Sequence, residues 1–394
     1  MRLVVVGLGQ AGGRIADEFA RLGKRAVARR SIQIITGAYA VNTDQADLTG
    51  LRTIKADFHH RILIGGGRTS GHGVGKINEV GAAVATNDGY KLIDAVRTGS
   101  RFYETDAFLL VAAAGGGTGS GAMPIFVETI KERYPHKPVY ALAVLPFEHE
   151  ERTEERCIYN VATCLKSTYA VADAVIVVDN QRFLKKDAGL VNNLERINQE
   201  IVNPFFDLLC AGEEVKRKHI GAKVVDAGDI MQTLEGWTAI GCGKSELAPI
   251  RLPFERTRTF RQKGRETQRG LEAVDQAISE LSVSCNLQDA GKALSLLSAP
   301  PKEMNVALAR EMAEIMRDMS PDAIIRSGDY PRERNDVSIT LVLSALRDVP
   351  KVRSFFQRLK DSATTIKRRK EEAEEKLKEM ETLIEDVPWL LQDR

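Results

Sequence analysis

The chain has 394 residues, of which 43% are hydrophobic and 28% charged, and carries a formal net charge of +2. The length suggests two domains and an appendage rather than one small core, and the near-neutral balance gives no ground for nucleic acid as a bulk electrostatic partner. No apolar run reaches the ~18 residues of a transmembrane segment, Met1 to Val6 runs into a strand rather than a secretion signal, and the five cysteines form no CxxC pair; a cytoplasmic protein with neither disulfide framework nor zinc site is expected.

In chain order, Arg2 to Val6 reads as an apolar strand, followed by Gly7-Leu8-Gly9-Gln10-Ala11-Gly12-Gly13 and a helix over Arg14 to Leu22. This is a GxGxxG arrangement, which by itself also fits a Rossmann oxidoreductase that binds NAD. The next strand, Ala38 to Val41, ends in Asn42-Thr43-Asp44, with amide and carboxylate groups at a strand's C-terminal edge. Ile62 to Ile64 leads into a glycine-rich loop, Gly65 to Lys76, whose Gly75-Lys76 ending resembles a Walker A motif. Ile77 and Ser70 stand where that motif needs Ser or Thr and Gly, so the P-loop reading fails. Lys76 is therefore read as a solvated helix-start residue, His72 as a packing or solvated one, and the backbone of Gly71 to Gly75 as the useful part.

The apolar run Ala107 to Ala112 feeds Gly115-Gly116-Gly117-Thr118-Gly119-Ser120-Gly121, with five glycines in seven residues, and a helix over Ala122 to Lys131. Removing Cβ atoms lets successive backbone N–H groups face an anion at the positive end of a helix, and phosphate is the expected occupant. Val139 to Leu145 ends in Pro146-Phe147-Glu148, and Ala174 to Val178 ends in Asp179-Asn180. Strands that alternate with helices imply a parallel sheet covered on both faces, with five or six loops meeting at one edge. A nicotinamide site needs one phosphate loop, and this chain offers several.

Gly7 to Gly13, Asn42-Thr43-Asp44, Gly71 to Gly75, Gly115 to Gly121, Glu148 with Arg152, and Asn180 together resemble the nucleotide loops of the tubulin/FtsZ superfamily. Gln10 looks like tubulin and Asn-Thr-Asp like FtsZ, a mixture similar to the archaeal CetZ branch. The resemblance implies a Rossmann-like α/β GTP-binding domain over 1–186, a core helix over 187–212, an α+β domain over 213–346 and a charged helical tail over 347–394. It also implies GTP or GDP with Mg²⁺. By the resemblance, Gly9, Gln10, Ala11, Gly12, Gly116, Gly117, Thr118 and Gly119 hold phosphate, Gly73 approaches the γ-phosphate, and Asn42 and Asp44 belong to the same nucleotide site. Glu148, Arg152 and Asn180 contact the nucleoside, and Asn198 reads guanine, with Asn192 and Asn193 as rivals.

Leu190 to Cys210 repeats apolar residues every three or four positions, as a long buried helix does, with Pro204 expected to kink it unless packing satisfies the freed carbonyl. Beyond it, Asp226 and Asp229 enter a helical stretch, Ile230 to Leu234, where a capping role alone would account for either. By the resemblance they are the catalytic carboxylates that activate water, although Val224 stands where FtsZ members usually carry Asn. Lying at the far end of the core helix, they must act on a neighbour's nucleotide, which implies a head-to-tail homopolymer, a cytoskeletal GTPase affecting cell shape. A GTP-binding regulatory module that does not hydrolyse is a second alternative, beside the oxidoreductase.

Arg251 to Arg269, with seven Lys or Arg against two Glu, reads as a solvated loop. A compact α+β pattern follows, with helices over Leu271 to Leu281 and Glu303 to Met319 and strands over Ala293 to Leu297, Ala323 to Arg326 and Val337 to Leu343. The charged stretch Ser354 to Glu385 reads as a projecting helix or a tail that accessory proteins would bind.

Overall fold

The computed structural model describes residues 1–99, 101–184, 190–247, 260–304 and 306–361. The region 251–259, most of the charged stretch and the chain end after 361 lie outside the described residues. In the first half, β1 (Leu3–Leu8), α1 (Gly9–Arg30), β2 (Ile35–Asn42), α2 (Gln45–Thr49), β3 (Arg61–Leu63), α3 (Gly66–Thr69), α4 (Asn78–Asp88), α5 (Tyr90–Thr98), β4 (Ala107–Ala113), α6 (Thr118–Arg133), β5 (Val139–Leu145), α7 (Glu148–Thr153), α8 (Cys157–Val171) and β6 (Ala174–Asp179) alternate as expected. Then come α9 (Leu190–Ala211), α10 (Ala227–Thr233), β7 (Gly236–Glu246), α11 (Phe260–Ser279), β8 (Lys292–Ala299), α12 (Val306–Met319), β9 (Ile324–Pro331) and β10 (Asp336–Leu346).

All ten strands form one sheet in the order β3-β2-β1-β4-β5-β6-β7-β10-β8-β9. Strands β3 to β6 are parallel, and their apolar residues alternate between two cores because each strand is covered on both faces. Val4, Val6 and Leu8 join the core under α4, α5, α6 and α8, whereas Leu3 and Val5 join the one under α1 and α9. The sheet passes from one half to the other through β7, parallel to β6 on one side and antiparallel to β10 on the other.

Sequence reasoning left β7 out. Its Gly241 and Gly243 are poor strand formers, but a Cβ on either would meet the carbonyl oxygens of Ala277 or Ala273 of α11 at 2.2 and 1.9 Å. They are there to let a helix lie close on the sheet. Helix α11 begins at Phe260, inside the stretch read as loop. Helix α1 begins at Gly9 rather than Arg14, so the first glycine motif is the helix's own first turn.

Helix α9 lies on the face shared with α1 and spans both halves. Ile197, Ile201, Phe205, Leu208 and Leu209 are buried in a core that reaches Leu142 and Val144 at one end and Leu294, Leu296 and Val342 at the other. The helix continues through Pro204. Its C-terminal end lies at the start of β1, where the Met1 nitrogen donates to the Leu209 carbonyl at 3.0 Å. A buried ion pair of Asp207 with Arg332 then ties α9 to the segment after β9.

Candidate nucleotide site

The loops after β1, β2, β3, β4, β5 and β6 all emerge at the C-terminal edge of the parallel strands, where ligands bind in open α/β sheets. Between them lies a cavity of about 210 Å³, lined at one end by Gln10, Ala11, Gly115 and Gly116 and at the other by Asn180, Asn198, Leu194 and Ile197. The Asn180 Oδ1 is buried without a hydrogen-bond partner among the described residues. A buried amide oxygen without a donor at a residue that lines a cavity is an acceptor that a purine N–H could satisfy. Asn193, one rival of Asn198, is buried, with its Oδ1 accepting from Arg196 Nη2 at 2.7 Å; the side chain of Asn192 lies outside those described.

The signature glycines divide into two kinds. A Cβ on Gly117 would lie 2.8 Å from the Lys76 Cα, one on Gly119 2.7 Å from the Leu8 carbonyl oxygen, and one on Gly121 2.0 Å from that of Asn78. These three are fixed by packing. A Cβ on Gly116 would meet nothing closer than the Ala113 carbonyl oxygen at 4.0 Å, although Gly116 lines the cavity. Among the described residues no neighbour requires a glycine there.

Gly9, Gly12, Asn42, Asp44, Gly73, Gly117, Thr118 and Gly119 stand outside the cavity lining and build its support. Gly9 has φ +69, and a Cβ there would lie 3.0 Å from the Gly119 nitrogen, so the two glycine loops abut. Thr43 and Thr118 share a hydroxyl hydrogen bond of 2.7 Å. The Asn42 Oδ1 accepts from the Thr43 and Asp44 N–H groups, its Nδ2 donates to Asp47, and Gln10 donates to the other Asp47 oxygen at 2.7 Å. Asp44 caps α2 by accepting from the Ala46 and Asp47 N–H groups. The Gly73 N–H donates to the Thr43 carbonyl at 3.1 Å, which fastens the loop after β3 to the one after β2.

Glu148 and Arg152 do not line the cavity; they pair with each other at 3.5 Å, largely exposed. Their neighbours Phe147, Glu150 and Glu154 line it instead. Glu150 accepts from the Phe147 N–H at 2.8 Å, which holds its carboxylate at the cavity wall. In a short helix, a shift of two positions turns a side chain to the opposite face, and sequence alone left that phase open. Lys76 is exposed, as read, and its side chain also lines the cavity; His72 is exposed too and does not line it. A further residue was missed. Asn160, fully buried, donates to the carbonyls of Lys76, Gly115 and Gly116 at 2.9–3.1 Å and holds both loops from behind. Its sequence signal was an asparagine inside the apolar stripe of Cys157, Val161, Cys164 and Leu165.

Asp226 and Asp229 form a reciprocal cap on α10, the Asp226 Oδ1 accepting from the Asp229 N–H at 2.9 Å, and Arg326 Nε lies 3.4 Å from Asp229. They sit beside the C-terminal end of α9, since a Cβ on Gly212 would come within 2.8 Å of the Asp226 Cα. From Asn198 to Ala211 the helix rises roughly 20 Å at 1.5 Å per residue. Cavity and aspartates are therefore at opposite ends of one strut.

A multi-loop glycine cradle on a parallel sheet, with a core helix leading from it to a distant carboxylate cap, is the architecture of the tubulin/FtsZ GTPases. Residues 2–187 match the GTPase domain of the tubulin/FtsZ family, and residues 188–361 match the C-terminal domain of tubulin-like CetZ. Tubulin-like protein CetZ1 of Haloferax volcanii is 32% identical over 376 residues, 91% of each chain. The solved structure of CetZ1 from Haloferax volcanii as a GDP-bound monomer covers 92% of this chain and 100% of its own at 29% identity, with a TM-score of 0.78. That of CetZ2 from the same organism as a GTPγS-bound protofilament covers 93% and 100% at 27% identity, with a TM-score of 0.80. The chain belongs to the CetZ branch of this family of cytoskeletal GTPases.

Proposed function

We propose that this protein binds GTP in the sheet-edge cavity, assembles head to tail, and hydrolyses the nucleotide with carboxylates supplied by the next subunit. The observation that carries the reading is the separation of roughly 20 Å between Asn198 and the Asp226 cap along α9, which no side chain can bridge within one chain. A contact joining one end of the strut to the other end of the next molecule is heterologous and repeats without closing. The CetZ2 structure described as a protofilament supports it.

In this reading Asn180 and Asn198 recognise the base, Glu150 faces the ribose, and the Gln10, Ala11 and Gly116 backbone receives the phosphates. Asp229 orients a water for attack on the γ-phosphorus, the bond to the β-phosphate oxygen breaks, and GDP and phosphate leave. Asp226 assists by holding the Asp229 backbone. Mg²⁺, when bound, neutralises developing phosphate charge. It would be held chiefly by phosphate oxygens, because Asp44 is committed to its cap and Asp47 to Gln10 and Asn42. Accessory proteins would bind through the charged stretch Ser354 to Glu385.

The test is phosphate release by Asp229→Ala at concentrations spanning assembly. The variant should still pellet with GTP while its turnover falls by about 10²-fold or more, and wild-type activity per subunit should rise with concentration. Unchanged turnover in the variant, or a wild-type rate per subunit independent of concentration, would refute catalysis across the joint.

A further inference from the structure

Two cations, Lys76 and Arg14, line the cavity, and Lys76 is tied to a carboxylate of the opposite wall, Nζ lying 2.5 Å from Glu154 Oε2. Lys76 has φ +62, a left-handed conformation that glycine would adopt freely and a lysine adopts at a steric cost. Its backbone is over-determined. The carbonyl accepts from buried Asn160 at 2.9 Å, and the Cα lies against Gly117. The polypeptide thus fixes the backbone of a cationic residue at the glycine end of the cavity, in a conformation its residue type disfavours.

Resting on the function proposed above, we infer that Lys76 is a phosphate-binding cation of this site and that Glu154 is its partner when no triphosphate is bound. The side chains of the Lys76–Glu154 pair are 56% and 40% exposed, so the bridge is screened by water and weakly held. A nucleoside triphosphate carries several negative charges into the same cavity and competes with one carboxylate for the ammonium group. Lys76 exchanges Glu154 for phosphate oxygens, and Glu154, four residues after Glu150 at the end of α7, is released. Occupancy of the phosphate end is thereby communicated to the segment that carries the ribose-facing wall. The two partners have opposite signs of effect. Removing the lysine charge weakens triphosphate binding, whereas removing the glutamate charge strengthens it.

The experiment measures equilibrium binding of fluorescent GTP and GDP analogues to the full chain, below the concentration at which it assembles, with thermal melts of each variant alone. Lys76→Met should raise the Kd for the triphosphate by about tenfold or more, as loss of a charge-assisted contact does, and that for the diphosphate by less. Lys76→Arg should retain affinity, and Glu154→Gln should lower the triphosphate Kd several-fold with an unchanged melting temperature. A Lys76→Met variant that binds as wild type, or a Glu154→Gln variant that binds more weakly, would overturn the inference and leave the nucleotide site standing. A wild-type chain that binds neither analogue would overturn both.

Discussion

Two glycines of one signature loop, Gly116 and Gly121, five positions apart, should respond oppositely to the same added methyl group. Gly121→Ala places a Cβ 2.0 Å from the Asn78 carbonyl oxygen and 2.7 Å from the Ala82 nitrogen, both backbone atoms of α4 that cannot rotate aside. Helices α4 and α6 must separate. Overpacking of this kind costs about 1–3 kcal/mol, offset in part by the helix preference of alanine over glycine, so the melting temperature falls by several degrees in nucleotide-free protein. Gly116→Ala meets open space, its backbone lies outside the left-handed region, and its apo stability should match or slightly exceed wild type. Gly116 nevertheless lines the cavity, so a methyl group there would stand beside any phosphate bound at this turn. Displacing a phosphate from one backbone N–H forfeits a charge-assisted hydrogen bond of about 1.5–3 kcal/mol, or roughly 10–100-fold in Kd. Thermal melts with and without GDP separate the two: Gly121→Ala loses apo stability and keeps its nucleotide-induced shift, and Gly116→Ala does the reverse. A Gly116→Ala protein with both wild-type stability and wild-type affinity would show that phosphate does not approach this turn.

Asp207→Ala leaves the fully buried Arg332 guanidinium without its carboxylate and should destabilise the protein by about 3–5 kcal/mol in urea melts, whereas Asp207→Leu with Arg332→Met should recover much of that loss; equal losses in the single and double variants would count against a buried ion pair. Burial, with Glu150, Glu151 and Glu154 nearby, pushes the Cys157 thiol at the cavity wall up to about 11. Because the thiolate is the reactive form, iodoacetamide labelling of Cys157, followed by peptide mass spectrometry, should be slow at pH 8. It should rise about tenfold per pH unit toward pH 10 and be slowed by GDP; rapid, pH-independent labelling would contradict this environment.

The parallel half of the fold was legible because each of its strands is an apolar run closed by a glycine or amide loop, and residues 139–145 form β5 over the same span as read from the sequence. Strand β7 was not. Its glycines at 241 and 243 make sense only once α11 lies against them, a tertiary fact with no local signature. At the site, loops could be read and phases could not. The sequence reading took Glu148, and the turn of α7 places Glu150 at the cavity wall instead. Lys76 is exposed as read, but its left-handed backbone could not be foreseen, because nothing local announces a lysine whose carbonyl is held by Asn160, 84 positions away.

The two halves of the sheet meet over a short ladder. Strand β6 pairs with β7 only from Ala174 to Ile176, whereas β7 pairs with β10 along most of its length, from Trp237 to Glu246. A plate with so narrow a waist, braced on one face by a 22-residue helix, is unequal in its stiffness. Load along the brace is borne by the helix's own hydrogen bonds and by the apolar side chains wedged beneath it. Torsion about the brace works against that short ladder and against the hydrogen bonds that flank it, from the Ser282 hydroxyl to the Val177 carbonyl and from Arg182 Nε to the Leu281 carbonyl, both at 2.7 Å. The two halves of the sheet are therefore joined less by the sheet itself than by the helix and the few bonds that flank this ladder, and those are the bonds that rotation of one half against the other would strain first.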